Sequence, residues 1–167
     1  MDAGSIILQE TTSIDNRENA DDLEKRLSVT GAGLVIKALE LMKAGKERFL
    51  EQDEKNVTYA PKLKKEQGEV SWEDTAAEII RKIRGMQPWP GAFTYLDGRR
   101  MRIIEAVEDT VEAEKSVTGA ILDEKTFVVN AGGGAVRISR VQLDGKKAMT
   151  ARELLRGYKL RAGTVLG

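Results

Sequence analysis

Phe93-Thr94-Tyr95-Leu96-Asp97-Gly98-Arg99-Arg100-Met101-Arg102-Ile103-Ile104 is the stretch on which the fold turns. In the segment just before Gly91 the apolar residues recur at helical spacing; after it they alternate, the period that sends successive side chains to opposite faces of a strand. Residues 93–96 and 99–104 read as two strands, and Asp97-Gly98 between them is a pair able to adopt the positive torsions of a tight hairpin. Alternation in the second arm places Arg100 and Arg102 on one face and Met101 and Ile103 on the other.

Downstream, residues 119–122 and 126–130 fit two more strands, and Gly132-Gly133-Gly134 leads into a fifth marked by Val136, Ile138 and Val141. The glycine triplet has neither the spacing of a dinucleotide-binding loop nor the Lys-Ser/Thr ending of a P-loop, so it is read as a turn. Thr150 with Glu153 is a capping box that starts a short closing helix through Leu154 and Leu155. About five short strands with a helix on each side predict an α+β fold, a small OB-like, partly open β-barrel with flanking helices. A split sandwich is the alternative.

Upstream of the hairpin, Ser71 and Asp74 in capping-box spacing predict a helix through Ala76, Ile79, Ile80 and Ile83, which Pro88 and Pro90 prevent from continuing. Trp72 and Trp89, flanking that helix, are read as packing anchors. Residues 46–68 are polar, charged and without a sustained period, as expected of a connector. Before them, residues 4–9 read as a short strand. One helix follows, capped by Asn19 with Asp22 and interrupted at Gly31 and Gly33; a second, with Leu34, Ala38, Leu41 and Met42 as its stripe, ends at Gly45. Both stripes need a surface to cover, so this region is read as the end of a larger domain.

Composition narrows the chemistry. With no cysteine there can be no disulfide or thiolate site, and with no histidine the commonest neutral-pH acid/base and metal ligand is missing. No metal site is expected. No apolar run approaches the roughly 18 residues of a bilayer span, and the first ten residues do not read as a signal peptide, so a cytoplasmic address without membrane insertion is the expectation. Charge is balanced overall but not locally: between 103 and 124 seven acids face Lys115 alone, whereas between 125 and 167 nine bases face only Asp144 and Glu153. A basic tail of this kind suits a phosphate-bearing partner.

The strings Thr58-Tyr59-Ala60-Pro61-Lys62-Leu63, Lys65-Glu66-Gln67-Gly68, Trp72, Ile83-Arg84, Pro88-Trp89-Pro90-Gly91-Ala92 and Gly145-Lys146-Lys147-Ala148-Met149 resemble, in order and spacing, the pattern of methionyl-tRNA formyltransferases. The resemblance implies the end of a Rossmann-like catalytic domain at 1–47, a linker at 48–68 and a carboxy-terminal tRNA-binding barrel at 69–167. It implies 10-formyltetrahydrofolate as cosubstrate, initiator methionyl-tRNA as partner and a monomeric full-length protein. Asp2-Ala3-Gly4 resembles the segment that carries the family's catalytic aspartate, which would be Asp2; the asparagine and histidine that act with it would lie ahead of Met1. The expected role of this chain is therefore tRNA docking without activity of its own. The candidate contacts are Lys62, Lys64 and Lys65 in the linker, Arg99, Arg100 and Arg102 on the hairpin, and Arg137, Arg140, Lys146, Lys147 and Arg152 around the last strand and its loop. A sugar-nucleotide formyltransferase with a related barrel, and a non-catalytic adaptor, remain as rival readings.

Overall fold

In a computed structural model describing residues 4–111 and 117–167, the hairpin lies at one end of a single antiparallel sheet. β1 (Phe93–Leu96) pairs with β2 (Arg99–Asp109) in the register Phe93 to Arg102 and Leu96 to Arg99. Asp97 and Gly98 have φ of 49° and 72°, the torsions of a two-residue hairpin whose twist matches its strands. β3 (Ile121–Asp123), β4 (Val128–Asn130) and β5 (Ala135–Leu143) complete the order β1-β2-β5-β4-β3, and β6 (Met149–Thr150), too short to register in the sequence, pairs with β5.

The sheet bends because β2 slips register against β5 at Ile103, Glu105 and Ala106, and such bulges increase local twist. The bend brings the two edges round to the chain's last residues. Ile121 donates its N–H to the Thr164 carbonyl at 2.8 Å, Leu166 donates to Gly119 at 2.9 Å, and Gly167 donates to Tyr95 at 3.1 Å. The tail thus runs beside the β3 edge and reaches β1, with Leu166 buried in the core, producing the partly open barrel expected from the alternation.

α2 (Ala76–Gly85) covers one side of the sheet. It turns Ile79 and Ile83, fully buried, onto Met101, Ile103, Val136 and Ile138, each such side chain stabilising by roughly 1.5–3 kcal/mol. Its start differs from the expected one. Thr75 with Glu78 forms the capping box, whereas residues 71–74 form a turn, because the Thr75 hydroxyl is the one placed to accept from the Glu78 amide. That turn is where the glycine triplet docks: Gly132 donates to the carbonyls of Trp72 and Asp74, and a Cβ at Gly132 would lie 1.8 Å from the Glu73 carbonyl oxygen. α3 (Ala151–Gly157) is capped by Thr150 and Glu153 as expected and buries Ala151 and Leu154.

Trp72 is buried, its indole N–H donating to the equally buried Thr94 hydroxyl at 3.1 Å. Trp89 is not a core residue. It is 54% exposed, since the two prolines beside it hold the loop outside the barrel rather than folding it under α2.

Residues 1–62 form one compact unit and 63–167 another. In the first, the expected pair of helices is one helix, α1 (Ala20–Lys43), of 24 residues. Glycine lowers helix propensity by about 1 kcal/mol relative to alanine but keeps its N–H, so Gly31 and Gly33 weaken the helix without ending it. The ends are as expected: Asn19 and Asp22 form a capping box, and Gly45, at φ 65°, ends the helix as Lys46 donates back to Leu41. None of its residues is buried, and Leu27, Val29, Val35, Ile36, Leu39 and Met42 are exposed. Residues 4–9 form no strand; only Ile6 bridges Leu50. No helix among the described residues is long and apolar enough to cross a membrane.

Candidate nucleic-acid interface

The outer surface of the hairpin is set by its register. Met101 and Ile103 point into the core with no exposed area, so Arg100 and Arg102 face outward beside Tyr95 and Phe93, as alternation requires. The two arginines do different things. Arg100 lays its guanidinium 4.0 Å from the centroid of the Phe93 ring, and Tyr95 meets the same ring edge-on at 5.9 Å. This cation–π contact fixes the guanidinium plane while leaving its N–H groups available. Arg102 is a strut: its guanidinium donates to the Gln87 side chain at 2.7 Å and to the Pro88 carbonyl, holding the proline loop onto β2.

The loop joining β5 to β6 lies against the same end of the hairpin, with Asp144 donating its N–H to the Arg100 carbonyl at 3.2 Å. Two adjoining hollows result. One, of about 520 Å³, is walled by Tyr95, Arg99, Arg100, Leu143, Asp144 and Lys146. The other, of about 190 Å³, is walled by Pro90, Arg100, Arg102, Gln142, Asp144 and Gly145. Arg100 and Asp144 belong to both. Arg99, Arg100 and Lys146 outnumber the one carboxylate in the larger hollow, and none of the three is ion-paired among the described residues. Cations on a concave, low-dielectric surface focus positive potential into it.

A short 3-10 turn, Lys65–Gly68, borders this surface. Gly68 packs directly on the Gly91 carbonyl, where a Cβ would come within 2.3 Å, and Val70 then donates to the Phe93 carbonyl at 2.8 Å. Lys64 and Lys65 are exposed at the start of the segment that pairs, through Glu69 and Val70, with Phe93 of β1. Lys62 is exposed at the end of the first unit.

The remaining candidates divide. Arg137 binds the Asp109 carboxylate across β2 and β5, with Nε to Oδ2 at 2.6 Å, and Arg140 stands 3.4 Å from Glu105 in the same pair of strands. Both are exposed, but the acidic partners on β2 offset their charge. Lys147 and Arg152 are exposed without an ion pair among the described residues. Asp2 lies outside the described residues. The sequence reading missed Asp144 as a wall of the groove and the Phe93 ring beneath Arg100; Phe93 opposite Arg102 in a two-residue hairpin was the signal available for the second.

Among the described residues no group of three or more acids could hold a metal ion. Both hollows are open and edged by basic side chains, with Tyr95 and Leu143 among the walls of the larger, so their chemistry suits phosphate oxygens along a backbone.

Residues 62–159 match the family described as formyl transferase, C-terminal domain. A methionyl-tRNA formyltransferase of Syntrophus aciditrophicus is 39% identical, matching 100% of this chain and 54% of its own length. That of Moorella thermoacetica is 40% identical with the same coverage, 100% and 54%. The chain spans about half the length of the curated relatives it matches. Among solved structures, HypX from Aquifex aeolicus in complex with tetrahydrofolic acid superposes with a TM-score of 0.68 at 21% identity, over 92% of this chain and 28% of that one. The sugar 3N-formyl transferase WlaRD, crystallised with dTDP and 5-N-formyl-THF, gives 0.63 at 20% identity, over 88% and 52%. At such identities these two likenesses concern the fold alone.

Proposed function

Because the chain belongs to the formyl transferase carboxy-terminal domain family, we propose that it is the tRNA-docking part of a cytoplasmic methionyl-tRNA formyltransferase. In that enzyme the amino group of methionyl-initiator tRNA takes a formyl group from 10-formyltetrahydrofolate. The observation that carries the reading is the cationic groove: Arg99, Arg100 and Lys146 converge at the hairpin tip, with Lys64 and Lys65 on the bordering turn. Lys147 and Arg152 add to the basic residues of the barrel and Lys62 is a further candidate in the first unit, while Arg102, Arg137 and Arg140 contribute less, being engaged within the barrel. Initiator tRNA docks through phosphates and helical shape, which needs basic side chains on rigid strands and no base-reading pocket.

Catalysis belongs elsewhere. The methionyl amine attacks the formyl carbon and forms a tetrahedral intermediate whose oxygen carries negative charge; collapse breaks the bond from that carbon to the folate nitrogen, and the amine proton must be taken up. Oxyanion donors and a general base each contribute factors of order 10² or more. The chain has no histidine, and Asp2 alone supplies neither donors nor a second proton acceptor. The folate site is assigned, in this reading, to the part of the relatives that this chain does not match. The purified chain should give no formyl transfer.

A thermal-shift experiment tests the assignment. A ligand that binds only the folded state at 100 times its Kd stabilises by about 2.7 kcal/mol, so initiator tRNA should raise the melting temperature and a dTDP-sugar should not. The opposite pattern would transfer the chain to the sugar-modifying branch.

A further inference from the structure

A third hollow, of about 500 Å³, lies where the β3–β4 turn meets the chain leaving α3, walled by Glu124, Lys125, Leu155, Tyr158, Lys159 and Arg161. The turn is locked by Asp123, whose carboxylate accepts from the Thr126 hydroxyl at 2.6 Å and the Lys125 N–H at 2.8 Å. The post-helical chain is tied to it: Ala162 donates its N–H to the Glu124 carboxylate at 3.1 Å, and Gly163 donates to the Ile121 carbonyl at 2.9 Å. Both acids are thus turned to backbone and hydroxyl donors. Lys125, Lys159 and Arg161 are exposed and carry no ion pair among the described residues.

This hollow communicates with the hairpin. The Tyr158 hydroxyl, from its wall, donates to the Asp97 carboxylate in the β1–β2 turn, next to Arg99. The hydrogen bond ties the chain after α3 to the hairpin tip and engages the acid that stands between the two cationic groups. On either side cations outnumber carboxylates, with Arg99, Arg100 and Lys146 against Asp144 in one hollow and Lys125, Lys159 and Arg161 against Glu124 in the other.

We propose that Lys125, Lys159 and Arg161 are a second set of phosphate contacts for the same RNA, so that docking runs from Lys146 across the hairpin tip to the β3–β4 turn. The inference rests on the RNA-docking reading above. No buried cation closes around a single anion here; three flexible side chains reach out from two separate segments. An open hollow edged by three exposed cations suits the phosphates of a backbone passing over it, and Leu155 and Tyr158 between them offer apolar surface for sugars.

Salt titration of initiator-tRNA binding separates the possibilities. The slope of log K against log[salt] changes by about 1 for each phosphate contact removed. The variant Lys125→Ala/Lys159→Ala/Arg161→Ala should lose two to three contacts, reducing the slope by about 2–3 and the affinity about tenfold or more at 0.1 M salt. Arg99→Ala/Arg100→Ala/Lys146→Ala should do likewise, and circular dichroism should show both folded. Should the first variant melt early, Lys159→Gln alone is expected to cost about one unit of slope. Wild-type slope and affinity in the first variant, with loss in the second, would overturn this inference and leave the docking reading intact. No salt-dependent binding by the unsubstituted chain would remove the docking reading itself.

Discussion

Arg100 and Arg102 show how residues two apart on one strand take different roles. Arg102 is braced by Gln87 and the Pro88 carbonyl, so Arg102→Met should lower the unfolding free energy in urea by about 1–3 kcal/mol and leave the salt slope of RNA binding unchanged. Arg99→Ala should do the reverse, because that side chain is exposed and unpaired among the described residues. At Gly132 the adjacent Glu73 carbonyl leaves no room for a methyl group, and Gly132→Ala is expected to destabilise by about 1–3 kcal/mol, read in the same titration. The outward direction of Arg100 and Arg102 was legible in the alternation of the hairpin. Their division of labour was not, because it depends on Gln87 and Phe93, which reach them only through strand pairing and the return of the proline loop.

Helix starts carry their own prediction. Thr75 and Thr150 each cap a helix, and Thr150→Ala should cost about 1 kcal/mol at neutral pH. The glutamates completing these boxes are held below the usual carboxylate range, Glu78 chiefly by the Thr75 hydroxyl and Glu153 chiefly by the Thr150 amide. A carboxyl whose pKa is depressed in the folded state stabilises above its unfolded value, about 4.3 for glutamate, and that contribution disappears as pH falls through the folded value. The difference between Glu153→Gln and the unsubstituted chain should therefore shrink below about pH 4 in thermal melts. A difference constant from pH 7 to pH 3 would contradict this account of the caps. The Thr150 box was legible from the three-residue spacing of Thr150 and Glu153. Upstream, Ser71 with Asp74 has the same spacing as the true cap at Thr75, and only the docking of Gly132 on residues 72–74 selects between them. In α1 the glycines were read as a break, although the caps named at either end, Asn19 and Gly45, are those of a single 24-residue helix.

The whole chain is two units of unequal solidity. The second holds the buried core, whereas α1 in the first has no buried residue. Limited proteolysis should cut first within residues 4–62 and leave a resistant fragment beginning near Leu63; uniform resistance across both would contradict this. The barrel was legible from five alternating stretches, but its closure by residues 164–167 was not, since a tail with one alternation of side chains has no strand signature of its own. The groove was half legible. The basic residues could be counted, yet the pairing of Arg137 with Asp109, and the meeting of Lys146 with the hairpin, come from long-range register. The most direct test of the central claim is the affinity of the purified chain for initiator methionyl-tRNA as a function of salt. Contact with about four phosphates, before the second set at the β3–β4 turn is counted, predicts a slope of about −3 to −4 or steeper for log K against log[salt], and a flat response would contradict electrostatic docking by this barrel.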